Sequence, residues 1–317
     1  MILVIELLNV NKEYQDQHAL DHLNLTINDG ELFVLVGPSG SGKTTLLKTI
    51  NRLVVPTSGQ VKIDGRDVAD ANVQELRRQI GYVLQTGALF PNMTVAENAS
   101  VQLDNLKWPA DKKRTRIAEL MTEVGLDPDH FLDRMPSELS GGEAQRVGIV
   151  RALACEPGLV LMDEPFSALD PVSRRQLQQI VINLHRDLDS TIVFVTHDMH
   201  EALRLADRIG VVHNGKLQQV GTPTEILSEP ANAFVSNFFA DEQQTDQLLG
   251  QVLAAGFGRT AKADEPGTKM VKGQSIFEWA TALQKSQMDQ VIVDDKVLTD
   301  HDLIDYLASL ETEGDSH

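Results

Sequence analysis

Short apolar runs alternate along this chain with segments whose apolar residues recur every three or four positions. The runs are LFVLV (32–36), IGYVL (80–84), LVLM (159–162), TIVFV (191–195) and IGVVH (209–213). Runs this short, mostly apolar and flanked by turn residues, predict strands buried in a parallel sheet. Leu177, Ile180, Val181, Leu184 and Leu188 fall between two of them at helical spacing. Strand–helix alternation of this kind predicts an α/β core with crossover connections. The first 30 residues, opening MILVIELLNVNKEY, and the stretch VKIDG (61–65) predict a small additional sheet. Ile117, Leu120, Met121 and Val124 predict an amphipathic helix ending near Gly125, inside a helical subdomain over residues 95–145. Asn214-Gly215, between GVVH and KLQQV, signals a two-residue hairpin.

This first domain is expected to span residues 1–240, its core finishing near Phe239, with DEQQTDQ (241–247) as a linker. Residues 241–317 predict a small α+β domain: helix 243–256, strand 268–272, helix 275–288, strand 290–294, a short strand 296–298 and helix 300–310. Ile276, Ala280, Leu283 and Met288 form one apolar face, and Leu303, Ile304 and Leu307 another. That regularity argues against an unfolded tail.

Charge changes the picture next. The 317 residues hold 46 Asp and Glu against 28 Lys and Arg, a net charge of -18. Residues 241–317 hold 15 acids and 6 bases, so the last quarter carries half the excess. Such acidity excludes a dedicated nucleic-acid binder, which needs a basic footprint. The single cysteine, Cys155, allows no intrachain disulfide and points to a reducing compartment. The N-terminus lacks a basic start and a small-residue cleavage site, so it reads as a strand and not a signal peptide. No uncharged apolar run reaches 18 residues, so work at a membrane would need spans from other chains.

The sharpest chemical signal is GPSGSGKT, Gly37 to Thr44, which matches G-x-x-x-x-G-K-[ST] between a buried strand and LLKTINRL. Glycines let backbone N–H groups converge on phosphates, and the helix N-terminus adds a favourable dipole. Lys43 would neutralise the β- and γ-phosphates of a nucleotide, and Thr44 would ligate Mg²⁺. A carboxylate for the metal stands in GLVLMDEP: Asp163 ends a strand, and Glu164 follows, placed to polarise an attacking water as general base. The plainer reading of that acidic pair is a helix N-cap.

LSGGEAQR (139–146) lies 17 positions ahead of Asp163, counting from Arg146. With GPSGSGKTT, LMDEPFSALD and FVTHD, it resembles the ATP-binding subunits of ABC transporters over residues 1–240. The resemblance implies a P-loop NTPase cassette with a RecA-like core, an N-terminal antiparallel β subdomain and a helical subdomain. It implies that Gly37, Pro38, Ser39, Gly40, Ser41, Gly42, Lys43, Thr44 and Thr45 hold ATP phosphates, and that Tyr14 stacks on adenine. Gln85, in YVLQTGALFP, stands where the family links the nucleotide site to the membrane subunits and contacts metal and reacting water. Ser140, Gly141 and Gly142 stand where a signature loop closes on the γ-phosphate of the opposite subunit. Asp170 stands in the loop joining the two sites, and His197 is similar to the switch histidine that contacts the γ-phosphate. The plainer alternatives are a solvated strand residue for Tyr14, a surface turn for Gln85, and helix caps for His197 and Ser140. Free N–H groups after Ser140 form an anion site at a helix N-terminus, and a partner's γ-phosphate would fill it. A head-to-tail homodimer with two Mg-ATP follows. Glu143 stands where the family more often has glutamine, which puts the contact of that side chain in question.

LFPNMTVAEN (89–98) resembles the importer type, and PANAFV within GTPTEILSEPANAFVSNFF (221–239) resembles the subunits for quaternary-amine osmoprotectants such as glycine betaine, choline and carnitine. The resemblance implies transmembrane permease subunits, an extracellular or membrane-anchored substrate-binding protein, and a place on the cytoplasmic face of the membrane. It also implies CBS motifs after the cassette. The pattern of residues 241–317 has room for one such motif, which would pair across the dimer. A ferredoxin-like regulatory domain, as in methionine importers, is the alternative. A soluble, non-transport ABC ATPase is the rival of another class; tandem cassettes, long coiled coils and zinc cysteines argue for that class, and this chain has none in its sequence. The acidity of the last quarter suggests gating by ionic strength or by nucleotide second messengers.

Overall fold

Runs of four or five consecutive apolar residues cannot face water on either side, and three strands built on them are buried end to end: β3 (Leu32–Val36), β7 (Leu159–Asp163) and β8 (Thr191–Thr196). The computed structural model describes residues 4–15, 17–85, 88–167, 169–188, 190–240, 249–262, 266–272, 274, 276, 279, 283, 290–302 and 305–306. The chain divides into two compact units, Met1–Phe238 and Phe239–His317.

In the first unit the buried strands join β6 (Ile80–Val83), β9 (Arg208–His213) and β10 (Lys216–Gly221) in one sheet of order β10-β9-β3-β8-β7-β6. All neighbours run parallel except β10, which returns from β9 through Asn214 and Gly215. Both turn residues have positive φ, 49° and 75°, as a two-residue hairpin with right-handed strand twist requires. A second, antiparallel sheet of order β2-β1-β4-β5 is built from β1 (Ile5–Tyr14), β2 (Gln17–Ile27), β4 (Ser58–Ile63) and β5 (Arg66–Asp67). Ile5, Leu7, Val10, Leu23 and Val61 of that sheet share one core with Phe33, Leu35 and Leu161 of the first.

The helical subdomain contains α3 (Val95–Asn105), α4 (Ala110–Glu123), α5 (Pro128–Phe131) and α6 (Gly141–Leu153). Ile117, Leu120, Met121 and Val124 are buried, and Gly125 follows with φ 72°. Fully buried Asn98 holds the preceding loop, donating to the carbonyls of Phe90, Met93 and Thr94 and accepting from Phe90 N–H. Around the parallel sheet lie α1 (Lys43–Ile50), α2 (Val73–Arg78), α7 (Pro171–Leu188) and α8 (Met199–Leu205), with α9 (Pro223–Ser228) and α10 (Ala233–Phe238) closing the unit.

The register positions the site. Val36 pairs with Thr196, Asp163 with Val195, and Val83 with Met162. Four carboxyl ends therefore align at one sheet edge, where ligands of open α/β sheets bind.

In the second unit, α11 (Leu249–Ala254) precedes a sheet of β11 (Arg259–Thr260), β12 (Thr268–Met270), β13 (Gln290–Val293) and β14 (Lys296–Thr299), ordered β11-β14-β13-β12. β12 and β13 are parallel and the other pairs antiparallel. Trp279 is fully buried among Leu249, Val252, Val291, Val293, Leu298 and Tyr306. Two strands are shorter than expected. β12 ends at Met270 because Val271 is exposed and enters a turn, accepting from Gln274 N–H at 3.0 Å. β13 ends at Val293 because Asp294, with φ 55°, begins the turn to β14. β11 has no counterpart in the expected pattern. The expected linker 241–247 and Ala280, Met288, Leu303, Ile304 and Leu307 lie outside the described residues.

Candidate functional site

The loop after β3 is shaped by close backbone approach. A Cβ on Gly37 would sit 2.0 Å from the carbonyl oxygen of Val212, and one on Gly42, at φ 104°, would sit 2.3 Å from that of Ala19. Only glycine fits either place. Ser41 accepts from Gly215 N–H at 2.9 Å, so the β9–β10 hairpin backs the loop. The Ser41 hydroxyl is buried with no hydrogen-bond partner among the described residues. Lys43 is buried, and its ammonium donates to the carbonyls of Gly37 at 2.7 Å and Pro38 at 2.9 Å. Burial holds its pKa below the usual lysine range, against the opposing pull of Glu164 and Asp163. A buried cation, an orphaned hydroxyl and an N-terminal helix turn without an acidic residue fit a polyanion such as ATP.

Asp163 is held on both oxygens. Thr44 Oγ1 donates to Oδ1 at 2.7 Å, and Tyr82 OH donates to Oδ2 at 3.3 Å. Lys48 Nζ lies 3.6 Å from Oδ2. Burial first, and the Asp163 charge second, push the Tyr82 phenol above its ordinary pKa, so it remains a donor. Thr44, Asp163 and the amide oxygen of Gln85 offer only oxygen, the donor type Mg²⁺ takes. Among the described residues, no three His, Cys, Asp or Glu side chains converge on a metal position. A metal here would therefore share its ligands with phosphate oxygens.

Glu164 sits in the left-handed region at φ 46°, with its N–H bonded to Val195 O at 3.0 Å. A non-glycine residue held there carries local strain on the order of 1 kcal/mol or more. The turn presents its carboxylate to two partners. His197 Nδ1 lies 3.0 Å from Oε2, and Gln85 Nε2 donates to the same oxygen at 3.4 Å. With the carboxylate as acceptor, Nδ1 is the imidazole nitrogen that carries the proton. Lys43, Thr44, Asp163, Glu164, His197 and Gln85 thus converge from four strand ends.

Other expected site residues lie apart from this cluster. Tyr14 is exposed near the end of β1, with Lys12 Nζ 4.8 Å from its ring centroid. Asp170 caps α7, its Oδ1 accepting from the N–H groups of Val172 and Ser173, each at 3.0 Å. Bonds from Ser173 hold its carboxyl below the usual range. Ser140 caps α6 in a reciprocal box: Glu143 N–H donates to Ser140 Oγ at 3.3 Å, and Ser140 N–H donates to Glu143 Oε2 at 2.7 Å. Glu143 therefore serves its own helix. Ser140 and Gly141 are exposed, and among the described residues no hydrogen bond joins Ser140–Gly142 to the Lys43–Asp163 cluster. His197 is not a cap, because Asp198 caps α8 through His200 N–H and Glu201 N–H. Nor is the acidic pair, since α7 is capped by Asp170.

Sequence reasoning missed Tyr82 and Lys48. Tyr82 is the one polar group within IGYV, and Lys48 lies five residues after Lys43 on α1; neither carries a motif of its own.

A strand–loop–helix cradle facing a paired Asp-Glu at the carboxyl ends of a parallel sheet defines a P-loop nucleotide cassette. The ABC transporter family matches residues 20–167. The chain is 50% identical over 241 residues to the glycine betaine/carnitine/choline transport ATP-binding protein OpuCA of Bacillus subtilis, covering 76% of this chain and 63% of that protein. It is 44% identical over 256 residues to the glycine betaine uptake system ATP-binding protein YehX of Escherichia coli, covering 81% of this chain and 83% of that one. Among solved structures it is similar to the ATP-binding cassette MJ0796 in a dimeric post-hydrolysis state bound to ADP and Pi, with TM-score 0.63 and 35% identity over 69% of this chain and 98% of the other. The chain belongs to the ABC transporter family, as an ATP-binding cassette. It spans about 63% of the length of the first of these relatives.

Proposed function

We propose that this chain is the ATP-hydrolysing subunit of an ABC importer for quaternary-amine osmoprotectants such as glycine betaine, choline or carnitine. The observation that carries the ATPase reading is the Glu164 carboxylate, held by His197 at 3.0 Å and Gln85 at 3.4 Å beside Asp163. The relatives' names carry the substrate class.

The P-loop amides, the α1 N-terminus and Lys43 bind the phosphates and spread their charge. Thr44 and Asp163, with Gln85, would hold Mg²⁺, which when bound supplies further charge neutralisation. Glu164 accepts a proton from the attacking water, and His197 orients that carboxylate through Nδ1. Ser140–Gly142 close on the γ-phosphate held by the second copy in a head-to-tail homodimer, and Tyr14 stacks on adenine. Asp170 joins the two sites. Residues 1–240 act as the cassette, with permease subunits engaging near Gln85 and a substrate-binding protein or domain delivering the solute. Among the described residues, no helix is long and apolar enough to cross a membrane; the cassette works at the cytoplasmic membrane face through these partners.

Residues 241–317 form a regulatory domain with a single CBS-like motif. The parallel β12–β13 pair, the antiparallel return of β14 and the helical residues after Thr299 support that order. One motif from each copy pairs across the dimer.

Glu164→Gln tests the core of this reading. It should retain ATP binding and lose about 10²–10⁴-fold in hydrolysis; undiminished hydrolysis overturns the assignment of the base. In proteoliposomes with the cognate permease, uptake of labelled glycine betaine should depend on ATP and rise with salt. Uptake of methionine instead would select the amino-acid importer.

A further inference from the structure

The turn that carries His197 is fastened on both sides of the histidine. Thr196 Oγ1 donates to Glu201 Oε2 at 2.6 Å and accepts from Asp198 N–H at 3.0 Å. Asp198 Oδ1 caps α8. The imidazole itself is half exposed, so its placement against Glu164 depends on these flanking bonds. A second element reaches the same turn. Arg174, in the first turns of α7, donates from Nη1 to Asp198 Oδ2 at 3.2 Å. Its Nη2 donates to Leu169 O at 3.4 Å, and its Nε lies 3.8 Å from Glu201 Oε1. Glu201 is buried, and burial raises its carboxyl above the usual range. One guanidinium therefore spans the Leu169–Asp170 loop, the Asp198 cap and a buried carboxylate.

We propose that Arg174 is a positioning residue for hydrolysis, holding His197 against Glu164 by tying the start of α7 to the turn that carries the histidine. The role rests on ATP hydrolysis at this site. The planar fork of arginine can serve Asp198, Leu169 and Glu201 at once, which a single ammonium cannot. Without it, the turn keeps its cap and its Thr196–Glu201 bond but loses its anchor to α7. The histidine then spends less time in register with Glu164. Nucleotide binding, which runs through Lys43 and the P-loop, is untouched.

The test uses the full chain assembled with its permease, in five forms: wild type, Arg174→Met, Arg174→Lys, Asp198→Asn and the double variant of Arg174→Met with Asp198→Asn. Asparagine keeps the helix cap and removes the charge that Arg174 holds. Each single variant is expected to lower kcat about tenfold or more, with KM for ATP within about twofold and a melting temperature within a few degrees of wild type. The double variant is expected to be no slower than Arg174→Met, because both substitutions cut one link. Arg174→Lys is expected to recover part of kcat. Wild-type kcat in Arg174→Met, or losses that multiply in the double variant, overturn the role. Should Arg174→Met fail to fold, Asp198→Asn decides alone, and unchanged kcat in it overturns the role. A wild type that hydrolyses no ATP overturns the ATPase reading itself; a hydrolysing wild type with unaffected variants overturns only the role of Arg174.

Discussion

The P-loop and the signature loop both sit at helix N-termini, yet they are finished differently. Around the P-loop, Thr44, Tyr82 and Lys48 all reach Asp163, and Glu164 is gripped by His197 and Gln85. The side chains of one chain complete that half. At the signature loop, the side chains of Ser140 and Glu143 are taken up by the cap of α6, and Gly141 stays exposed. That loop is complete as a helix start, and among the described residues no hydrogen bond joins it to the Lys43–Asp163 cluster. The contrast is between a loop completed by other side chains of its own chain and one closed by its own helix cap; in the proposed dimer the second would meet a partner's phosphate.

Substitutions can break or sharpen this contrast. The largest effect is expected from Lys43→Met, which removes the buried cation. ATP affinity of the chain should fall about 10- to 100-fold, since hydrogen bonds to a charged partner are worth about 1.5–3 kcal/mol each. Titration with a fluorescent nucleotide measures this, and unchanged affinity would place the phosphates elsewhere. Tyr82→Phe removes one bond to Asp163 and should cost about 0.5–1.5 kcal/mol, read as a higher Mg²⁺ requirement for tight nucleotide binding. An unaltered metal titration would make Tyr82 a packing residue only. Ser140→Ala should cost about 1 kcal/mol of α6 stability by losing the cap. It should leave ATP affinity of the separate chain unchanged and weaken ATP-driven dimerisation. A loss of nucleotide affinity in that monomer would erase the distinction between the halves.

The smallest effect is expected from Glu143→Gln, because glutamine also completes a capping box. Its melting temperature at pH 7 should stay within about a degree or two. The two forms should part only in acid. The bond from Ser140 N–H depresses the Glu143 pKa. Its contribution is therefore full above the usual glutamate pKa and is lost as pH falls through the lower folded value. A wild-type advantage that grew with acidity would contradict that sign.

The reach of sequence reasoning follows contact range. GPSGSGKT was legible because the residues that form the loop are consecutive. The strands β3, β7 and β8 were legible because a strand covered on both faces must carry a continuous apolar run. At Ser140 the sequence reading reached only the cap: S-x-x-E before an apolar run is the signature of a box, but Glu143 was compared with glutamine and its contact left in question. Tyr82 was not legible. Its bond to Asp163 exists only because β6 and β7 pair with Tyr82 opposite Leu161. Lys48 depends on the phase of α1 against β7, and Arg174 on the approach of α7 to α8. The two-residue β11 is too short for any periodicity, and it forms only because β14 offers an edge.

The sequence by itself determined the alternation of strands and helices, the phosphate cradle, the acidic pair after β7 and the split of the -18 charge between the two regions. Those features are contiguous, and the backbone's own periodicity and the freedom of glycine write them locally. The tertiary structure alone decided that Tyr82 and Lys48 close around Asp163, that Glu164 occupies a left-handed turn, and that Arg174 holds the switch turn. Those depend on which strands pair and in what register, a choice made by burying side chains far apart along the chain.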